Sequence, residues 1–167
     1  MKFAELTDRL NSVVARTCAW LTLVMVIVTL IIVILRYVFD IGWIWLQESV
    51  GWMHAAIFML AAAHTLARDE HVRVDIFYRK LTPVGRAKVD AIGTVFFLIP
   101  VCLFLIWGSL DYVRVAWEIK EGSPEAGGLG FPWVPLLKGF IPIMSGLLLL
   151  QGIAMLCRAA ITIRSSR

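Results

Sequence analysis

The chain has 167 residues, of which 60% are hydrophobic and only 17% charged, and its mean hydropathy is +0.82. A water-soluble domain of this size does not carry so large an apolar fraction, so the composition predicts an integral membrane protein. The net charge of +4 does not argue for nucleic-acid binding, because the excess Lys and Arg flank apolar runs, where membrane topology places them.

Residues 1–17 alternate Phe3, Leu6, Leu10 and Val13 with Glu5, Asp8, Arg9, Ser12 and Arg16. That period predicts an amphipathic helix, either lying in the membrane interface or continuing the first span into water. The run Cys18–Leu35 carries no charge and is followed by Arg36-Tyr-Val-Phe rather than by small residues. It therefore reads as a retained span, not as a cleaved signal peptide.

Three further spans follow, at about 44–66, 91–110 and 134–156, each near the roughly 20 residues that cross a hydrocarbon core of about 30 Å. Trp43, Trp45 and Trp52 open the second span and suit the membrane–water boundary as interface anchors. The expected fold is an all-α integral membrane protein with four transmembrane helices and interfacial amphipathic helices. Residues 1–167 are expected to form one membrane domain, with no room for a soluble one.

Charge sets the expected orientation. Lys2, Arg9, Arg16, Arg68, Arg73, Arg79, Lys80, Arg86, Lys88, Arg158, Arg164 and Arg167 fall on one side, against Arg36, Arg114, Lys120 and Lys138 on the other. This asymmetry predicts cytoplasmic N- and C-termini and a cytoplasmic 67–90 connection. Within that connection Val74, Phe77, Tyr78 and Leu81 follow helical spacing and predict a short surface helix. Thr82-Pro83 reads as an N-cap with proline in the first turn of the next helix. From Pro83 to Glu121 the strongest breaker is Pro100. A helix of that length would measure about 58 Å, so the third span is expected to be long or tilted, with a kink at Pro100. The stretch Gly122–Pro132 is rich in Gly and Pro and predicts a flexible outward loop.

Glu48 lies inside the second span near its outer boundary, and Arg36 ends the first span at matching height. An ionisable residue at such depth needs a partner, which predicts an Arg36–Glu48 ion pair or shared polar cluster. That pair would lock two helices or dock a partner subunit, with ion coupling as the alternative role. Gly51, Ala55 and Ala62 form a small-residue stripe that permits close helix approach. Cys18, Cys102 and Cys157 have no metal-site spacing and read as small packing residues. His54, His64 and His71 all belong to the second span or its end, whereas a bis-histidine haem takes ligands from facing helices. No cofactor, metal or catalytic set is expected.

The ordered set Trp45-Leu-Gln-Glu48, Trp52, Ala61-Ala-Ala63, Arg68 and His71-Val-Arg-Val-Asp75, with Leu81 and Arg86, resembles the small membrane subunit of tripartite ATP-independent periplasmic (TRAP) transporters, the DctQ-like family. Downstream, Glu121, Ser123, Gly127-Gly-Leu129, Lys138 and Gln151-Gly152 are similar to a subgroup often labelled for mannitol or chloroaromatic compounds. The resemblance covers nearly the whole chain. It departs at Gln47, where many members carry an acid, which leaves Glu48 alone in that role.

The resemblance implies a non-catalytic scaffold for a large membrane subunit in the bacterial inner membrane. That scaffold would present outward surface to a periplasmic substrate-binding protein during sodium-driven uptake of an organic acid. Arg68, His71 and Asp75 would then be polar residues of a helix end rather than a reactive site. Two readings compete: the membrane anchor of a redox enzyme, which lacks histidines on separate spans, and a self-sufficient small transporter, which lacks internal repeats and a polar pathway at mid-membrane.

Overall fold

The computed structural model describes residues 2–70, 78 and 80–165. These form four long helices, α1 (Lys2–Val38), α2 (Ile44–Ala67), α3 (Pro83–Glu118) and α4 (Trp133–Ser165), each long and apolar enough to cross a membrane. Every expected span falls within one of them, and the described residues contain no strand. The protein is an all-α, multi-pass membrane protein. The surface helix expected around Val74–Leu81 falls largely outside the described residues.

The N-terminal segment and the first span are one helix of 37 residues, about 55 Å long. Its buried residues are Ala4, Thr7, Asn11 and Cys18. The apolar set Phe3, Leu6, Leu10 and Val13 faces outward instead. The amphipathic period is real, but the small and polar face is the one that packs against protein, leaving the apolar face for lipid or a partner.

That inversion holds throughout. The interior is built from small residues, among them Ala56, Ala63, Cys102, Ala116, Ser145 and Ala154, while Phe104 and Trp107 are 75% and 85% exposed. In lipid, apolar side chains gain nothing by leaving their surroundings, so close backbone approach and polar contacts hold helices together. On α2 the contact face is Met53, Ala56 and Ala63. The expected Gly51–Ala55–Ala62 stripe is offset from it, and a Cβ on Gly51 would meet nothing within 4 Å. Cys18 and Cys102 are packing residues, whereas Cys157 is exposed.

α4 is central: it packs against α1, α2 and α3, while α1 also packs on α2 and α3 lies chiefly on α4. The start of α1 and the end of α4 share one end of the molecule, where Arg158 reaches the Ala4 carbonyl and Asp8. The start of α2 and the 119–132 connection share the other, where the Trp45 N–H donates to the Gly127 carbonyl.

Helix ends follow local chemistry. Thr82 caps α3 by accepting the Gly85 N–H at 3.1 Å, with Pro83 in the first turn, as the sequence predicts. α2 and α3 each close through a residue with positive φ, Asp69 at 60° and Lys120 at 51°. The following N–H groups return to the last turn, Glu70 to Thr65 and Glu121 to Ala116, which satisfies carbonyls that would otherwise be orphaned.

Next to Pro100, where a kink is expected, α3 has a π-helical segment, Thr94–Leu98, immediately before the proline. Pro100 has no N–H and its ring crowds the preceding turn; the widened turn accommodates it, with the Ile99 N–H donating to the Thr94 carbonyl. The extra residue also keeps a seam in phase. The buried residues of α3 are Ala87, Thr94, Cys102, Ser109 and Ala116, spaced by seven except across the π turn, where the step is eight. Against that turn lies Gly152 of α4: a Cβ there would stand 2.8 Å from Leu98 Cδ2 and 3.2 Å from Thr94 Cγ2.

Replacing Gly152 by Val should therefore push α4 from the π turn and cost about 1–3 kcal/mol, read as a lower melting temperature in detergent. Gly51→Val, with open space around it, should leave melting unchanged; equal effects of the two would contradict this seam.

Candidate docking surface and its Glu48 anchor

The first turns of a helix leave backbone N–H groups without intrahelical partners and favour negative charge nearby. α2 starts at Ile44 after Trp43 in extended conformation, with no side-chain cap. Its opening is completed by the distant 119–132 connection. The Trp45 N–H donates to the Gly127 carbonyl at 3.1 Å. Glu48, about one turn further in, receives the Ser123 hydroxyl on one carboxylate oxygen and the Leu129 N–H on the other at 2.6 Å.

Ser123 and Leu129 are themselves paired, the Ser123 N–H donating to the Leu129 carbonyl at 2.8 Å. Ser123 Oγ also accepts the Glu125 N–H at 3.1 Å. The two arms of the connection are thus pinched together on one carboxylate. Gly128 sits inside the pinch: a Cβ there would lie 2.5 Å from Ser123 Oγ and 2.7 Å from Glu48 Oε2. Gly127 has φ of +80°, which glycine adopts without strain.

Both ends of the connection are fixed as well. At its entry Glu121 pairs with Lys138 of α4 at 2.6 Å, and the same ammonium lies 3.8 Å from the centre of the Tyr112 ring. At its exit Phe131 meets Trp117 edge-on at 5.4 Å, and Trp133 meets Trp52 at 5.5 Å. Trp52 Nε1–H donates to the Trp133 carbonyl at 3.1 Å. Between these anchors Pro124, Glu125, Ala126 and Gly127 remain exposed. The result is a shaped, acid-bearing surface, not the loose loop that its Gly and Pro content suggests.

The expected Arg36–Glu48 pair does not form. Both carboxylate oxygens of Glu48 are engaged by the connection, and Arg36 is exposed at the end of α1. Trp43 and Trp45 stack at 5.9 Å and are about half exposed, whereas Trp52 is a packing residue against Trp133 and Phe140. Arg68 is the C-cap of α2. His71 and Asp75 lie outside the described residues.

A second polar cluster, not anticipated from the sequence, sits at the opposite end. Asn11 Nδ2 donates to Gln151 Oε1 at 2.8 Å, and Gln151 Nε2 donates to Asp8 Oδ1 at 3.1 Å. Arg158 completes the cluster on Asp8 Oδ2. Asn11 and Gln151 are 1% and 0% exposed, so this amide pair joins α1 to α4 away from water. The available signal was a lone Asn and a lone Gln at the margins of apolar runs.

Glu48→Ala should release the pinch. Hydrogen bonds to a carboxylate contribute about 1.5–3 kcal/mol each, so exchange of the Leu129 amide should quicken roughly ten- to hundredfold. Amide hydrogen exchange on the full chain reads this directly; unchanged protection at Leu129 would contradict the anchor.

A search of curated proteins finds no match. A family model described as "Tripartite ATP-independent periplasmic transporters, DctQ component" matches residues 25–162. The matched region takes in the Glu48 anchor, the 119–132 connection and the Gln151-Gly152 pair, and ends near the close of α4. With four membrane-spanning helices and a match over most of its length, the chain belongs to the DctQ family, the small membrane component of these transporters.

Proposed function

We propose that this chain is a non-catalytic scaffold of a TRAP transporter in the bacterial inner membrane, with both termini cytoplasmic. It braces the large membrane subunit and offers the 119–132 connection to the periplasmic substrate-binding protein. The complex carries out sodium-driven uptake of an organic acid. The observation that carries this reading is the Glu48 anchor: the acid inside the second span has both carboxylate oxygens engaged in holding a loop in shape.

Three further features support it. The charge asymmetry supports cytoplasmic termini and, with them, a periplasmic position for the anchored connection. α1 and α3 present broad apolar faces, with Trp20, Leu30, Phe96 and Phe104 exposed, area enough for both lipid and a large partner. The polar clusters at the two ends tie α4 to α1 and to the 119–132 connection, which suits an element that stays fixed while its partner moves.

The competing role for Glu48 is ion coupling, and it predicts a different phenotype. Glutamine keeps one acceptor oxygen but loses the charge, so a structural Glu48→Gln complex should lose part of its uptake rate at every sodium concentration. Its dependence on sodium should keep the wild-type steepness. Measured in proteoliposomes with all three components, a flattened sodium dependence with the two membrane subunits still assembled would overturn the scaffold reading.

A further inference from the structure

At the Asp8 end, α1 and α2 leave a cavity of about 330 Å³ lined by Asp8, Arg9, Ser12, His64, Ala67 and Arg68. Its chemistry is one-sided. Asp8 is the lining acid, and its carboxylate is already held by Arg158 and Gln151 from α4. The other polar groups, two guanidinium groups, a hydroxyl and an imidazole, can all donate hydrogen bonds.

Among the described residues neither guanidinium is engaged elsewhere. Among the described residues Arg9 and Arg68 have no carboxylate within ion-pair distance. Arg68 caps α2 through its backbone and not its guanidinium, because the last carbonyls of that helix take the N–H groups of Arg68, Asp69 and Glu70. Two uncommitted guanidinium groups beside a hydroxyl match the bidentate geometry of a phosphate.

The cavity's height says where the phosphate comes from. It opens at the last turn of α2, where the apolar run ends at Ala67, the level at which a spanning helix meets lipid headgroups. From Arg9 the same face of α1 runs through Val13 and Trp20, which are 55% and 68% exposed, a bed for acyl chains leading toward mid-membrane. Arg16, on that face between them, can extend its guanidinium back to the headgroup level.

We propose that this cavity binds the phosphate of an anionic phospholipid, with Arg9 and Arg68 as its ligands and the acyl chains along α1. A lipid so held fills the crevice between α1 and α2 beside the Asp8–Gln151 cluster. It ties the small subunit to the composition of the leaflet in which that end lies.

The test is native mass spectrometry of the full chain in mild detergent, titrated with phosphatidylglycerol, phosphatidylcholine or inorganic phosphate. A basic side chain near an anionic surface strengthens binding about fivefold. Phosphatidylglycerol should therefore be retained over phosphatidylcholine, and the R9Q/R68Q double variant should hold it roughly thirtyfold more weakly. Arg114→Gln, which removes an exposed arginine paired with Glu118, should change nothing. R9K/R68K keeps the charge without the planar fork and should fall between; it serves as the test if the Gln variant does not fold. Equal retention by all variants, or no preference between the two lipids, would overturn the site. Competition by inorganic phosphate at concentrations comparable to the lipid would overturn the lipid as its occupant.

Discussion

The carboxylate of Glu48 is the contact on which the end of this molecule that carries the 119–132 connection depends. One side chain accepts from both arms of the 119–132 connection, from the Ser123 hydroxyl and the Leu129 amide. The connection in turn supplies the carbonyl that completes the opening of α2. A carboxylate near the boundary of an apolar helix is costly unless it is charge-paired or well hydrogen-bonded. Here the hydrogen bonds come from the loop, so the cost of placing the acid and the order of the loop are two aspects of one arrangement. Gly128 is small because the carboxylate and the Ser123 hydroxyl occupy the volume where its side chain would be.

The rest of the fold carries that anchor on a stiff frame. α4 reaches from the Glu121–Lys138 pair at one end to Gln151 and Arg158 at the other. Between these clamps helices meet through Ala, Ser, Cys and Gly, and the π turn of α3 keeps its seam in register against Gly152. Large apolar residues point outward, as lipid permits and water would not. Polar contacts concentrated at the two ends, with shape-matched and mostly small residues between them, give a body that holds its shape with few large apolar side chains in its interior.

Much of this was legible in the sequence, and what was not has identifiable causes. Span positions, the Thr82–Pro83 start of α3 and the family emerged from local patterns, because hydropathy, caps and ordered motifs are local properties. The Glu48 anchor was not legible as such: an acid seeking a partner suggests the nearest arginine, yet a side-chain hydroxyl 75 residues away and a backbone N–H 81 residues away satisfied it. The same holds for Asn11 and Gln151, whose pairing depends on tertiary packing. Gly and Pro in 122–132 signal turns but do not say whether something holds the turns still. The π turn hid in a step of eight among steps of seven, visible only once the contact face was known.

The proposed role of the anchored connection is that of a prepared surface for the periplasmic binding protein. Gly128→Val disturbs it most directly, because the added atoms fall where Glu48 and Ser123 meet, away from the helix seams. The decisive measurement is the affinity of the purified binding protein for the assembled membrane complex with and without this substitution. The two membrane subunits should still assemble, and binding should weaken about tenfold or more, as expected when a preorganised contact of about 1.4 kcal/mol is lost. Unchanged affinity with the connection demonstrably displaced would contradict it.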